Sequence, residues 1–146
     1  MKVKQISVFL ENKPGALSRP VNLLAKAKLN ILALSLADTQ QFGILRLIVG
    51  NCDKAMRLLE AAGFVVKITD MVAIEVSDAP GGLASILSAL EKARVNLEYM
   101  CGFTQSKKGL GLLLFRFDDP DRAIQVLQER GINPIRSVDL FEKQPG

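Results

Sequence analysis

Two four-residue turns hold the side chains best placed to grip a small charged ligand. They are Asn12-Lys13-Pro14-Gly15, after the apolar run Ile6 to Leu10, and Asp78-Ala79-Pro80-Gly81, after Val72 to Val76. Each leads into a helical pattern. The first N–H groups of a helix have no intrahelical partner and carry partial positive charge, so a carboxylate is favoured there. Gly15 and Gly81 have no Cβ and let a ligand approach the main chain, while Pro14 and Pro80 fix the approach without giving up a needed donor. Asn12 can donate or accept a hydrogen bond, whereas ionised Asp78 only accepts, which makes the second turn the better partner for an ammonium group. The competing reading is plain helix capping by Asn or Asp. A further polar pair, Asn30 and Asn96, stands where each first helix gives way to the next strand. Helix start and strand start can lie side by side in such a topology, although Asn is also a common C-cap.

These features recur at one interval, since 78 − 12 = 66 also separates Pro14 from Pro80, Gly15 from Gly81 and Asn30 from Asn96. A unit has been duplicated, and 146 residues suffice for two small domains, 1–70 and 71–146. With 49% hydrophobic and 23% charged residues the composition is that of a soluble globular protein, and no window approaches a membrane span. The N-terminus runs straight into a strand pattern rather than a signal peptide, and the expected location is cytoplasmic. Cys52 and Cys101 fit neither a disulfide framework nor a metal-ligand spacing. A net charge of +4 with scattered basic residues argues against nucleic acid as a partner, and the absence of histidine removes the commonest general base and metal ligand. No cofactor is expected.

The elements that must position the turns follow from periodicity. Val3 to Leu10 alternates as a strand, and Leu17, Val21 and Leu24 recur at helical spacing. Pro20 requires either a kink or a helix whose regular part starts near Ser18 with the proline in its first turn. Asn30 to Asp38 and Ile44 to Val49 form a hairpin. Asp53 is expected to cap the second helix, Gly63 to end it, and Phe64 to Ile68 to form a fourth strand. From Met71 the order repeats, with a stripe at Leu83, Ile86, Leu87 and Leu90, strands over Asn96 to Thr104 and Leu110 to Phe117, the Asp119-Pro120 cap, a helix ended by Gly131, and a last strand over Ile132 to Leu140. The order βαββαβ twice over is an α+β architecture of ferredoxin-like units. Only Thr69-Asp70 separates the copies, so the domains are expected to be closely coupled. In the third strands, Ile44 to Val49 and Leu112 to Phe117, both faces are apolar apart from one arginine each, which predicts that the open sheet face is covered by another copy or by the partner domain. A homodimer is expected.

The segments Glu11-Asn12-Lys13-Pro14-Gly15-Ala16-Leu17 with Asn30-Ile31, and Asp78-Ala79-Pro80-Gly81-Gly82-Leu83 with Asn96-Leu97, resemble the two signature stretches of ACT domains, ligand-sensing modules of amino-acid metabolism. The chain is similar to short stand-alone tandem members of that family. The resemblance implies units paired edge to edge through their second strands, an eight-stranded antiparallel sheet with helices on one face, and a free amino acid bound at the seam. It implies that Asn12 and Asn30 in one copy, and Asp78 and Asn96 in the other, hold the ammonium and carboxylate beside the turn backbone. Second-strand residues Ala37, Asp38, Tyr99, Met100, Cys101 and Gly102 are the candidates for side-chain selectivity. Some serine-sensing members carry a histidine two residues before the turn Asn, where this chain has Leu10 and Val76.

The function expected is therefore a non-catalytic amino-acid sensor. The alternative is a regulatory subunit of a separate biosynthetic enzyme, similar to acetolactate synthase small subunits, with that enzyme as partner. An acylphosphatase-like enzyme would need a basic phosphate cradle, but Arg19 is the only arginine near the first turn and its counterpart is Ser85.

Overall fold

The computed structural model describes residues 2–38, 40–107 and 109–132, with the backbone alone at 38 and 103–107. It comprises β1 (Lys2–Glu11), α1 (Ser18–Lys26), β2 (Ile31–Asp38), β3 (Phe42–Val49), α2 (Cys52–Ala61), β4 (Val65–Ser77), α3 (Gly82–Lys92), β5 (Leu97–Lys107), β6 (Leu110–Phe117) and α4 (Pro120–Glu129). The chain divides into two compact units, Lys4–Thr69 and Met1–Val3 with Asp70–Gly146. The last strand expected over Ile132 to Leu140 lies outside the described residues from 133 onward.

In the first unit β3 runs between β1 and β2, with Ile6 opposite Leu47, Val8 opposite Leu45 and Leu34 opposite Leu47. The alternation seen in the sequence puts Ile6, Val8, Leu10, Leu45, Leu47 and Val49 on one face. There they bury against Leu24 of α1 and Ala55 and Leu59 of α2. Each such aliphatic side chain contributes about 1.5–3 kcal/mol on burial. The second unit repeats the arrangement with Val72, Ile74, Val76, Phe115 and Phe117 under Ile86, Leu90, Ala123 and Leu127. Both copies even carry the same irregularity, a register shift between Ile31 and Ala33 and between Leu97 and Tyr99.

Three local expectations are revised. Val65 to Ser77 is a single 13-residue strand, because Thr69-Asp70 offers neither glycine nor proline to stop it. The N-cap of α2 is Asn51, whose side chain accepts from the Lys54 N–H, so Asp53 falls within the first turn instead. The six described strands end at β2 and β5, both edges, so the expected eight-stranded sheet is not formed among the described residues of the single chain. Other expectations stand: α1 starts at Ser18 with Pro20 among the first residues, whose N–H groups lack intrahelical partners in any case. Asp119 caps α4 ahead of Pro120.

On the second face of the third strands, Ile48 and Leu114 are each 1% exposed. Among the described large apolar side chains Val65 is 67%, Leu34 60%, Phe42 59% and Leu36 50% exposed, Leu34 and Leu36 lying on the helix-bearing side of the sheet.

Candidate functional site

Helices α2 and α4 each have a side-chain cap, Asn51 and Asp119. Helices α1 and α3 have none: Leu17 and Gly81 occupy their N-cap positions, and neither makes a side-chain cap hydrogen bond. Asn12 and Asp78 are exposed and stand outside the helices they precede. The plain capping explanation of these two residues is thus not what the structure shows. The backbone closes each turn itself, through Ala16 N–H to the Lys13 carbonyl and Gly82 N–H to the Ala79 carbonyl.

The asparagines at the other helix ends are not caps either. The left-handed residue that terminates α1 is Lys28 and that of α3 is Arg94, both at φ 55°. Asn30 and Asn96 follow two residues later, exposed, at the start of β2 and β5. Asn96 is tied by its backbone, donating N–H to Asp118 Oδ1 at 3.2 Å and accepting from the Asp118 N–H at 3.1 Å.

Within one unit the turn residue and the strand-start asparagine are far apart. Asn12 N–H donates to the Gln41 carbonyl, at the end of the sheet where Asp38 faces Gly43. Asn30 adjoins Ile31, which faces Val49 at the opposite end. The six residue steps from Gly43 to Val49 span roughly 20 Å at about 3.3 Å each. The second copy is the same: Asp78 N–H donates to the Gly109 carbonyl, while Leu97 faces Phe117. A helix starts and ends at opposite ends of itself, and α1 and α3 run along the sheet between the two positions.

The turns differ in charge and tightness. Glu11 and Lys13 form an ion pair of 2.8 Å over the first turn, and that hydrogen bond and charge hold the Glu11 carboxyl below its ordinary range. The second turn has Ser77 and Ala79 at those positions, leaving Asp78 as its one charge. It is also closer to the sheet, because a Cβ on Gly82 would collide with the Ser77 carbonyl oxygen. Gly82→Ala is expected to destabilise the protein by about 1–3 kcal/mol. A urea titration reads this as a lower midpoint, and an unchanged midpoint would mean that the turn can open to admit the methyl.

Each turn borders a cleft, on different sides. In the first unit a cavity of about 490 Å³ lies between the turn, Phe9 and the Phe64-Val65 end of β4, with the Arg19 guanidinium 5.1 Å above the Phe64 ring. In the second a cavity of about 440 Å³ joins Asp78, Pro80 and Leu83 to Gly102 of β5 and Gly111 of β6. Alternation separates the proposed selectivity residues. Met100 faces Phe115 on the helix-bearing side and packs on that core, while Tyr99 and Cys101 lie on the other face opposite Arg116 and Leu114. The side chain of Asp38 lies outside the described residues. Burial pushes the Cys52 thiol above its ordinary pKa, which suits an inert packing role.

A family model described as "ACT domain pair" matches residues 1–143. The chain belongs to the ACT-domain family. Its ACT pair is similar to protein BT0572 from Bacteroides thetaiotaomicron, with 39% identity, a TM-score of 0.91 and 97% of each chain covered. The regulatory subunit of aspartate kinase from Thermus thermophilus, in ligand-free form, aligns at 16% identity and TM-score 0.61 over 86% of this chain and 91% of that one. Aspartate kinase from Synechocystis aligns at 18% identity and TM-score 0.59 over 91% of this chain and 26% of the enzyme. At those identities the likeness shows the fold alone. No curated protein matches the chain. Among the described residues, the ACT units contain no group of three or more side chains able to hold a metal ion, and no helix long and apolar enough to cross a membrane.

Proposed function

We propose that this ACT pair is a non-catalytic sensor of a free amino acid in the cytoplasm, and that its ligand seat is completed by a second copy of the chain. One observation carries the reading: the helices that follow the two signature turns are the ones without side-chain caps, and each turn borders a cleft, with the exposed Asp78 lining the second. At the second turn, Asp78 receives the ammonium and the uncapped N–H groups of α3 receive the carboxylate. Asn96 of the same copy is out of reach. An antiparallel pairing of two β5 edges brings the start of one strand against the end of the other, and so delivers the partner copy's Asn96 to the cleft at Asp78. That pairing would extend the sheet across the seam in the manner expected from the sequence, and the ligand would favour the paired state through its contacts with both copies.

Thermal unfolding in the presence of each of the twenty common amino acids tests the proposal. A ligand at about 100 times its Kd adds about 2.7 kcal/mol to stability, a shift of several degrees. No shift with any amino acid would sink the sensor reading. A second reading, a regulatory subunit seated on a separate enzyme, draws support from the equal-length likeness to the aspartate kinase regulatory subunit. Recovery of a stoichiometric catalytic partner from cell extract, together with a ligand-dependent change in that enzyme's rate, would favour it.

A further inference from the structure

The two units differ at one place that bears on which amino acid is sensed. Leu36 and Gly102 are equivalent by spacing (102 − 36 = 66) and by register, Leu36 lying opposite Leu45 and Gly102 opposite Leu113. Their neighbours Gly43 and Gly111 are also equivalent, Gly43 facing Leu10 and Gly111 facing Val76. In the first unit the Leu36 side chain lies over the bare backbone of Gly43, so near that a Cβ placed there would be 3.5 Å from Leu36 Cδ1. In the second unit both positions are glycine, and the same space is part of the cavity of about 440 Å³ that reaches Asp78. Its other walls are mostly apolar, Val76, Leu83, Leu112 and Leu113 standing with the single hydroxyl residue Ser77.

We infer that the second unit holds the working seat and that its ligand is an amino acid with a branched aliphatic side chain, occupying over Gly102 and Gly111 the space that Leu36 fills in the first unit. This rests on the sensor reading above and adds to it the side-chain class and the copy that binds. Two glycines on adjacent strands cost β-propensity and leave a gap in the sheet surface. The cost falls beside the carboxylate best suited to an ammonium group, and an isobutyl group is the size that the first copy's leucine shows to fit. Desolvating the four added carbons there favours leucine over glycine by about 100-fold or more, since each buried methylene is worth about fourfold.

Titration calorimetry of the full chain with leucine, valine, alanine and glycine, on the wild type, Gly102→Ala and Gly102→Leu, tests the inference. A methyl at position 102 meets Leu113 Cδ2 at 3.8 Å, an ordinary contact, so Gly102→Ala keeps the fold. The expected result is that wild type prefers leucine, that Gly102→Ala weakens leucine about tenfold while leaving alanine nearly unchanged, and that Gly102→Leu abolishes leucine binding. Binding of amino acids with no preference for aliphatic side chains, or a leucine-to-alanine ratio unmoved by Gly102→Ala, would overturn the inference while leaving the sensor reading in place. Failure of the wild type to bind any free amino acid would overturn both.

Discussion

An equimolar mixture of Asp78→Ala and Asn96→Ala proteins is expected to recover a wild-type ligand affinity that neither variant has alone. Each substitution removes a hydrogen bond to a charged group of the ligand, worth about 1.5–3 kcal/mol, so each pure variant should bind about 10- to 100-fold more weakly. The recovery follows from the distance between the residues. Asp78 sits at the Gly109 end of β6 and Asn96 at the Phe117 end, so no single copy can close both on one ligand. In a two-fold dimer each seat takes Asp78 from one copy and Asn96 from the other. A mixed dimer then has one seat with both residues altered and one with both intact. Random exchange makes about half of the dimers mixed, so about one quarter of the wild-type sites should return at wild-type affinity. Calorimetry reads this as a restored affinity with reduced stoichiometry. A mixture no better than its components would refute the shared seat. Recovery with Asn30→Ala in place of Asn96→Ala would instead assign the seam to β5 against the partner's β2.

The turns and most elements were legible in the sequence because each has a local cause. Alternation at Ile6, Val8 and Leu10, the Asp119-Pro120 cap, and the left-handed glycines at 63 and 131 all act over a few residues. The misreadings also have local causes. Asn51 and Asp53 are both good capping residues, and the choice depended on which side chain reaches a free N–H. Thr69-Asp70 resembled a boundary between two apolar runs, yet nothing in it bends an extended chain, so β4 runs through. Asn12 and Asn30 stand apart within the unit because a helix has length. Nine residues of α1 extend about 13 Å at 1.5 Å each, which places its two ends at opposite edges of the unit. The Leu36–Gly102 difference is visible in the sequence, but its meaning depends on register. Only the pairing of Gly43 with Leu10 and of Gly111 with Val76 shows that both positions lie over a glycine on the helix-bearing side.

Phe115→Ala is expected to cost about 3–5 kcal/mol, a large part of the about 5–15 kcal/mol that holds a domain folded. Phe115 is fully buried and its ring stacks on Phe117 with centroids 5.6 Å apart and planes 7° from parallel. It faces Val72 on one side and Met100 on the other, so its loss opens the core under the edge strand that forms the proposed seat. The equivalent position in the first unit is Leu47, opposite Ile6 and Leu34, which shows that an aliphatic side chain can fill the same place in this fold. Phe115→Leu should therefore cost only about 1–1.5 kcal/mol. Tyr99, the single tyrosine in a chain without tryptophan, reports on the second unit alone, whereas circular dichroism reports on both. If the units unfold independently, Phe115→Ala lowers the urea midpoint seen by Tyr99 fluorescence and leaves a second, unmoved transition in the dichroism. If the two signals fall together, the continuous strand β4 makes the pair unfold as one. A Tyr99 midpoint that does not move at all would mean that Phe115 is not part of the core that the packing assigns to it.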